Sequence, residues 1–161
     1  MSGLLEIRNV SLQYDRRDVV RDVSVQIEAG EFFVIIGPNG AGKTTLLKAI
    51  TGLHRLTAGD ILLRQRPIAD YARKELARSL AMVPQHINAE FPFTVAETVI
   101  MGRYPHLGLL AVEGRRDLEL AEQAMAFTEV LDLADRRFGQ LSGGERQRVI
   151  IARAICQQSK I

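Results

Sequence analysis

The chain has 161 residues, 21 Lys and Arg against 19 Asp and Glu, a formal charge of +2, and 47% hydrophobic residues. That is the composition of a globular domain able to bury a sizeable core, and its scattered basic residues give no electrostatic footprint for nucleic acid, so no nucleic-acid partner is expected. One cysteine, Cys156, rules out an intrachain disulfide, no basic-then-apolar leader opens the chain, and no apolar stretch approaches the ~20 residues that span a bilayer. The expectation is a cytosolic chain, or one attached to a membrane only through a partner.

Leu5 and Ile7 alternate, and Val10, Leu12 and Tyr14 then alternate in the opposite phase, which predicts a strand with a bulge near Asn9. Val23, Val25 and Ile27 predict a second strand, closed by the turn Glu28 to Glu31. Both read as antiparallel strands with one solvated face. Phe32-Phe33-Val34-Ile35-Ile36 is different: continuous apolar residues predict a strand buried on both faces, as in a parallel sheet. Gly37-Pro38-Asn39-Gly40-Ala41-Gly42-Lys43-Thr44 follows and fits the phosphate-loop pattern, Gly, four residues, Gly-Lys-Thr. A helix then runs from Thr44 and Thr45 to a terminal glycine, Gly52. Strand, glycine loop and helix form the context in which this motif works. The helix start offers unpaired N–H groups and the positive end of a dipole, and the glycines let backbone approach a phosphate. Lys43 adds a mobile positive charge for outer phosphates, and the Thr44 hydroxyl is placed to ligate Mg²⁺.

Thr57 to Asp60 turns into a strand at Ile61-Leu62-Leu63, and Asp70 to Ser79 has helical periodicity. Leu80-Ala81-Met82-Val83 predicts a short strand stopping at Pro84-Gln85, and Phe91-Pro92-Phe93 a loop. Thr94 with Glu97 is a capping box opening a helix through about Arg103, broken by Tyr104 to Gly108. Asp117 to Leu131 predicts an amphipathic helix with Leu120, Ala124, Phe127 and Leu131 on its inner stripe. Ser142 with Glu145 is a second capping box, and Gly143-Gly144 leave that helix start bare. Val149, Ala152 and Cys156 form its buried stripe, with Ile151 and Ile155 beside it. This second helix N-terminus is either an anion site or a capped structural helix without a ligand. His54, His86 and His106 have no metal-ligand spacing with Cys156 or one another, and read as solvated or structural.

With three stretches in hand, the sequence resembles the ATP-binding subunit of ATP-binding-cassette (ABC) transporters. The carrying residues are Gly37 to Thr44 as Walker A, Pro84-Gln85 as the Q-loop, and Leu141-Ser142-Gly143-Gly144-Glu145-Arg146-Gln147 as the family signature. The resemblance implies an α/β P-loop NTPase fold of ABC type: a mixed sheet core, an antiparallel β region and a helical subdomain, incomplete at the C-terminus. It divides a single partial domain, 1–161, into a strand-rich core at 1–85 and a helical subdomain at 86–157.

The same resemblance implies roles. ATP and Mg²⁺ are the expected cofactors, with Gly37, Pro38, Asn39, Gly40, Ala41, Gly42, Lys43, Thr44 and Thr45 around the phosphates. Lys43 and Gln85 are the expected catalytic residues, Thr44 and Gln85 the Mg²⁺ ligands. Gln85 would also contact attacking water and sense the membrane partner, unless it is an ordinary polar loop residue. Tyr14 would stack on adenine, or else pack on the core as a strand aromatic. Ser142, Gly143 and Gly144 would complete the site of a second copy of the chain in a head-to-tail pair. The implied partners are that copy, transmembrane permease subunits and, indirectly, a substrate-binding protein, at the cytoplasmic face of the membrane. Met101-Gly102-Arg103-Tyr104-Pro105-His106 looks like importers of iron–siderophore, haem or cobalamin.

Two departures qualify these expectations. The family continues after its signature helix with an apolar strand ending in Asp-Glu and a later histidine loop, whereas this sequence stops at Gln157 to Ile161. Very slow or no hydrolysis by this chain alone, an exposed apolar edge and poor solubility are expected from that. Arg64-Gln65 stands where the family has a tight glycine turn, which predicts a looser hairpin. Alternative readings are a soluble ABC ATPase acting on DNA or ribosomes, and a catalytically dead nucleotide-binding or regulatory module.

Overall fold

The computed structural model describes residues 4–85, 92–108 and 111–161. The chain divides into two compact units, Met1–Leu76 and Ala77–Ile161.

The first unit is built on an antiparallel sheet of β1 (Leu5–Tyr14), β2 (Arg17–Ile27), β3 (Ala58–Leu63) and β4 (Arg66–Pro67), in the order β2-β1-β3-β4. The phase change in β1 is a real irregularity. Its register against β2 shifts between Ile7 and Val10, and Asn9 takes a left-handed φ of 48°. Asp22, across the ladder, does the same at 48°. The two are stitched by Asn9 Nδ2 donating to Asp22 Oδ1 at 2.9 Å and Asn9 N donating to Ser24 Oγ at 2.8 Å. Gly59 lies against the bulge, where a Cβ would come within 2.3 Å of the Asn9 carbonyl oxygen. The bulge keeps Leu5, Ile7, Val10 and Leu12 all buried despite their change of parity.

Helix α1 (Lys43–Ile50) contacts β1 and buries Leu46, Ala49 and Ile50. It ends as expected at Gly52, whose φ is 72°. Gly52 N donates to Ala49 O at 3.0 Å and Leu53 N to Lys48 O at 2.8 Å, the paired bonds of a Schellman motif.

Three expectations in this unit fail. Phe32 to Ile36 is not a ladder strand, and Phe32, Val34 and Ile36 are exposed. An apolar run becomes a buried strand only where neighbours satisfy its backbone on both edges, and no strand flanks it among the described residues. The Arg64-Gln65 hairpin is not loose. Both residues are left-handed, at φ 51° and 66°, and Leu63 pairs directly with Arg66. That is a two-residue turn of the I′ kind, adopted without glycine. The helix expected from Asp70 to Ser79 is a single turn at Ile68–Asp70 followed by α2 (Arg73–Ala77), which buries Leu76.

The second unit is helical: α3 (Val95–Ile100), α4 (Arg115–Phe127) and α5 (Gly143–Cys156) pack on one another. Their core holds Val95, Val99, Leu120, Ala124, Met125, Phe138, Val149, Ile150 and Ala152. Both capping boxes form. Thr94 N donates to Glu97 Oε2 at 2.8 Å and Glu97 N to Thr94 Oγ1 at 3.2 Å. After Ile100 the chain tightens into a 3₁₀ segment, Met101–His106, instead of remaining α-helical to Arg103. The inner stripe of α4 is Leu120, Ala121, Ala124 and Met125. Phe127 and Leu131, expected on that stripe, are exposed, because the helix ends at Phe127 and Glu129 turns the chain with a φ of 56°. Leu80 to Val83, expected as a strand, belongs to no sheet among the described residues. Ala81 N donates to Ile161 O at 2.7 Å, and Lys160 N and Ile161 N donate to Ser79 O at 3.2 and 3.0 Å.

Candidate nucleotide-binding site

The glycine loop and the signature lie in different units, so each site is built from its own residues. Pro38 to Ala41 forms a turn closed by Ala41 N donating to Pro38 O at 3.3 Å. Gly40 and Gly42 both have φ 83°. Their needs differ. A Cβ on Gly40 would meet nothing, so only the left-handed backbone asks for glycine there. A Cβ on Gly42 would lie 2.6 Å from the Val19 carbonyl oxygen and 2.7 Å from Val20 Cγ2. β2 is therefore pressed against the start of α1, and only glycine fits between them.

Gly42 is also the N-cap of α1, and no side chain caps that end. The first amides of the helix have no carbonyl one turn back to reach, so they point out of the loop with the positive end of the helix dipole. Lys43 Nζ donates to Gly37 O and to Pro38 O, both at 2.7 Å. The ammonium is thus folded over the loop and has a third donor to offer. Thr44 and Asn39 are exposed and Thr45 is half-buried. Backbone donors, an uncapped helix start, a cation over the loop and enforced glycines fit a polyphosphate. Bare amides at a helix start supply the partners its oxygens need without a bulky side chain in the way.

Tyr14 ends β1 and pairs with Arg17, two residues before Val19 on β2. At the rise of an extended strand this places it about 7 Å along the hairpin from the backbone that touches Gly42. Tyr14 is 54% exposed and does not pack in the core, unlike the strand-aromatic alternative. One ring face stacks on His54, with centroids 6.4 Å apart and planes at 23°. His54 Nε2 donates to the Gln13 carbonyl oxygen at 2.8 Å.

In the second unit Ser142 caps α5. Its hydroxyl accepts from Glu145 N at 3.3 Å and its own N donates to Glu145 Oε2 at 2.7 Å. The Ser142 hydroxyl bond holds the Glu145 carboxyl below the ordinary carboxylate range. Ser142, Gly143 and Gly144 are exposed, and a Cβ on either glycine would meet nothing within 4 Å. Nothing in this chain's own packing requires glycine at those two positions. Gln85 is exposed at the end of the Leu80 to Pro84 segment. His86 and Phe91 lie outside the described residues.

The stretch Met101 to His106 turns out to be fastened to α5. A Cβ on Gly102 would lie 2.4 Å from the Arg153 carbonyl oxygen. Arg103 is buried, with Nε donating to Asp117 Oδ1 at 2.8 Å and Nη1 to the Cys156 carbonyl at 3.0 Å. His106 Nε2 donates to Gln157 O at 2.8 Å. Met101 and Tyr104 face elsewhere, into a groove of about 270 Å³ shared with Phe93, Glu97, Ile100 and Leu118. Burial pushes the Cys156 thiol up to about 11, so it stays protonated and unreactive at neutral pH. The clamp by Arg103 and Asp117 was missed from sequence, because nothing in the spacing of an Arg and an Asp across a loop marks them as a buried pair.

Comparison with known proteins decides the family. A family model described as ABC transporter matches residues 20–161. The chain belongs to the ABC transporter family. It is 42% identical over 158 residues to the hemin import ATP-binding protein HmuV of Thermobifida fusca, covering 98% of this chain and 55% of that protein. It is 40% identical over 159 residues to the manganese transport system ATP-binding protein MntB of Bacillus subtilis, covering 98% of this chain and 62% of that one. A metal-chelate type ABC transporter in an inward-facing conformation superposes with a TM-score of 0.79 at 32% identity, over 98% of this chain and 57% of the other. The chain thus spans little more than half the length of the relatives it matches. What it shares with this ABC transporter is the α/β P-loop fold.

Proposed function

We propose that this chain is the nucleotide-holding part of the ATP-binding subunit of an ABC importer for a metal or metal-chelate cargo. The observation that carries the reading is the loop Gly37 to Thr45, where the bare amides at the start of α1, Lys43 folded over the loop and a position, Gly42, that only glycine fits stand together. In this reading the loop amides and Lys43 hold the outer phosphates of ATP, and Lys43 exchanges its two carbonyl acceptors for phosphate oxygens. Thr44 would ligate Mg²⁺, which when bound would neutralise phosphate charge and support hydrolysis, and Gln85 stays the further ligand that the family resemblance implies. Tyr14 supplies an exposed ring for the base. Ser142, Gly143 and Gly144 serve the nucleotide of a second copy in a head-to-tail pair. The open space in front of both glycines supports that role, since a close external approach is the use left for them.

The pair works on permease subunits at the cytoplasmic face of the membrane, with a substrate-binding protein beyond them. The groove beside Met101 and Tyr104, lined also by Phe93, Ile100 and Leu118 with Glu97 and Glu113 beside them, supports a docking place there. HmuV is named for hemin and MntB for manganese, which supports metal-containing cargo. Iron–siderophore, haem and cobalamin remain the chelates proposed from Met101 to His106.

Equilibrium binding of ATP to the chain and to Lys43→Ala tests the reading. A charged hydrogen-bond donor aimed at a phosphate contributes about 1.5–3 kcal/mol, so affinity should fall roughly 10- to 100-fold. Equal affinities for the two proteins would reject the phosphate-loop assignment.

A further inference from the structure

We infer that His54 is a positioning residue for the nucleotide base, holding the Tyr14 ring in the orientation that the base meets. The inference rests on the reading of Tyr14 as the base platform. Tyr14 is the last residue of β1, beside the two-residue turn at Asp15 and Arg16, and is more than half exposed. A side chain at such a place has little around it to select a rotamer. Ordering it on ligand binding would cost affinity, and a neighbour that orders it beforehand removes that cost.

His54 is placed to do this by three features of the chain. The Schellman ending of α1 at Gly52 directs Leu53 and His54 back toward the hairpin, and Gly52 is held there with Leu76 Cδ2 only 2.9 Å from where its Cβ would be. The imidazole is then fixed by Nε2 donating to Gln13 O at 2.8 Å, a carbonyl that can only accept, so Nε2 carries the proton. Ring position is finally imposed on Tyr14 by the stack at 6.4 Å and 23°, an offset arrangement within the favourable range for ring pairs. His54 is half-buried whereas Tyr14 is exposed, so the ordered member of the pair is the histidine. It covers one face of the tyrosine and leaves the opposite face for a base. The same α1 presents the phosphate cradle at its N-terminus and sends His54 from its C-terminus to Tyr14. One helix therefore sets both ends of the nucleotide site.

The test compares ATP with inorganic tripolyphosphate, which has the phosphates but no base, by calorimetry on the chain and its variants. Tyr14→Ala should weaken ATP and leave tripolyphosphate unchanged. His54→Ala should weaken ATP about 3- to 10-fold, the range of one ring–ring contact, and also leave tripolyphosphate unchanged. His54→Phe, which keeps a ring to stack but loses the bond to Gln13 O, should lose less. His54→Ala with wild-type ATP affinity beside a weakened Tyr14→Ala would overturn the role of His54 while sparing that of Tyr14. Equal weakening of ATP and tripolyphosphate by His54→Ala would overturn it too, since His54 would then act on the loop or the fold. An unchanged Tyr14→Ala would overturn the base platform itself.

Discussion

At the scale of single residues, Arg103 and Asp117 show how a loop is held by charge. The Arg103 side chain is 9% exposed and that of Asp117 16%, so the pair is little screened by solvent. Asp117 spends its second oxygen on Gly114 N at 3.0 Å, which caps α4. The Arg103 hydrogen bond, first, and the Gly114 amide hold its carboxyl below the ordinary value of 3.8. A carboxyl with a depressed folded pKa stabilises the fold above its unfolded value, and that stability is lost as pH falls through the folded value. Asp117→Asn should therefore destabilise the chain at pH 7 by about 2 kcal/mol, because Arg103 is left buried without its counter-charge. The gap should start to close only as pH falls below 3.8, and the variant and the wild type should converge at a pH below the depressed folded value. Urea unfolding at the two pH values measures this, and an equal gap at both would refute it. Some acid dependence will persist in the variant, since Glu145 is depressed by its Ser142 bond in the same sense.

At the scale of elements, what the sequence makes legible depends on whether a local rule is strong enough to stand alone. The bulge at Asn9 is legible because four apolar residues change parity there and the buried face must not. Both capping boxes are legible because a hydroxyl and a carboxylate three residues apart satisfy each other locally, whatever the surroundings. Thr94 and Ser142 were placed for that reason. The strand at Phe32 to Ile36 was misread because a buried strand is a property of its neighbours, and composition reports only the run itself. Contacts made across the fold, such as Val19 on Gly42 or His54 on Tyr14, leave no trace in spacing. The turn at Asp15-Arg16 was missed, and the one at Arg64-Gln65 expected to be looser than it is, for a further reason. Asp15-Arg16 and Arg64-Gln65 lack the Asn-Gly signature, yet all four residues have φ between 49° and 66°. Left-handed backbone costs an ordinary residue about 1 kcal/mol, so the flanking ladders impose these turns against local preference. Replacing Arg64-Gln65 by Asn-Gly should raise stability by about 1 kcal/mol in thermal or urea unfolding, without moving ATP affinity. A loss of stability would mean that the exposed Arg64 and Gln65 side chains contribute more than the backbone strain removes.

At the scale of the whole molecule, the chain combines a closely packed glycine cradle with an exposed apolar run that leads into it. The cradle needs Gly42 against β2 and the Schellman end of α1, and both are supplied within the first unit. The run leading into it is not sheltered in the same way: Phe32 is 91% exposed, Val34 56% and Ile36 90%. Contiguous apolar side chains on unladdered backbone present both a hydrophobic surface and backbone donors and acceptors open to pairing, the two ingredients of self-association. Burying a single side chain of this size is worth about 1.5–3 kcal/mol, so a few such residues meeting across copies suffice for association at working concentrations. Phe32→Ser combined with Val34→Thr should therefore shift the chain toward monomer in sedimentation velocity. ATP affinity should be unaffected, because both residues lie before Gly37 and neither contributes a group to the cradle. If the double variant associates as strongly as the wild type, the driving surface lies elsewhere. If it instead loses ATP binding, the run is part of the scaffold that shapes the loop, and its burial is a condition of the site.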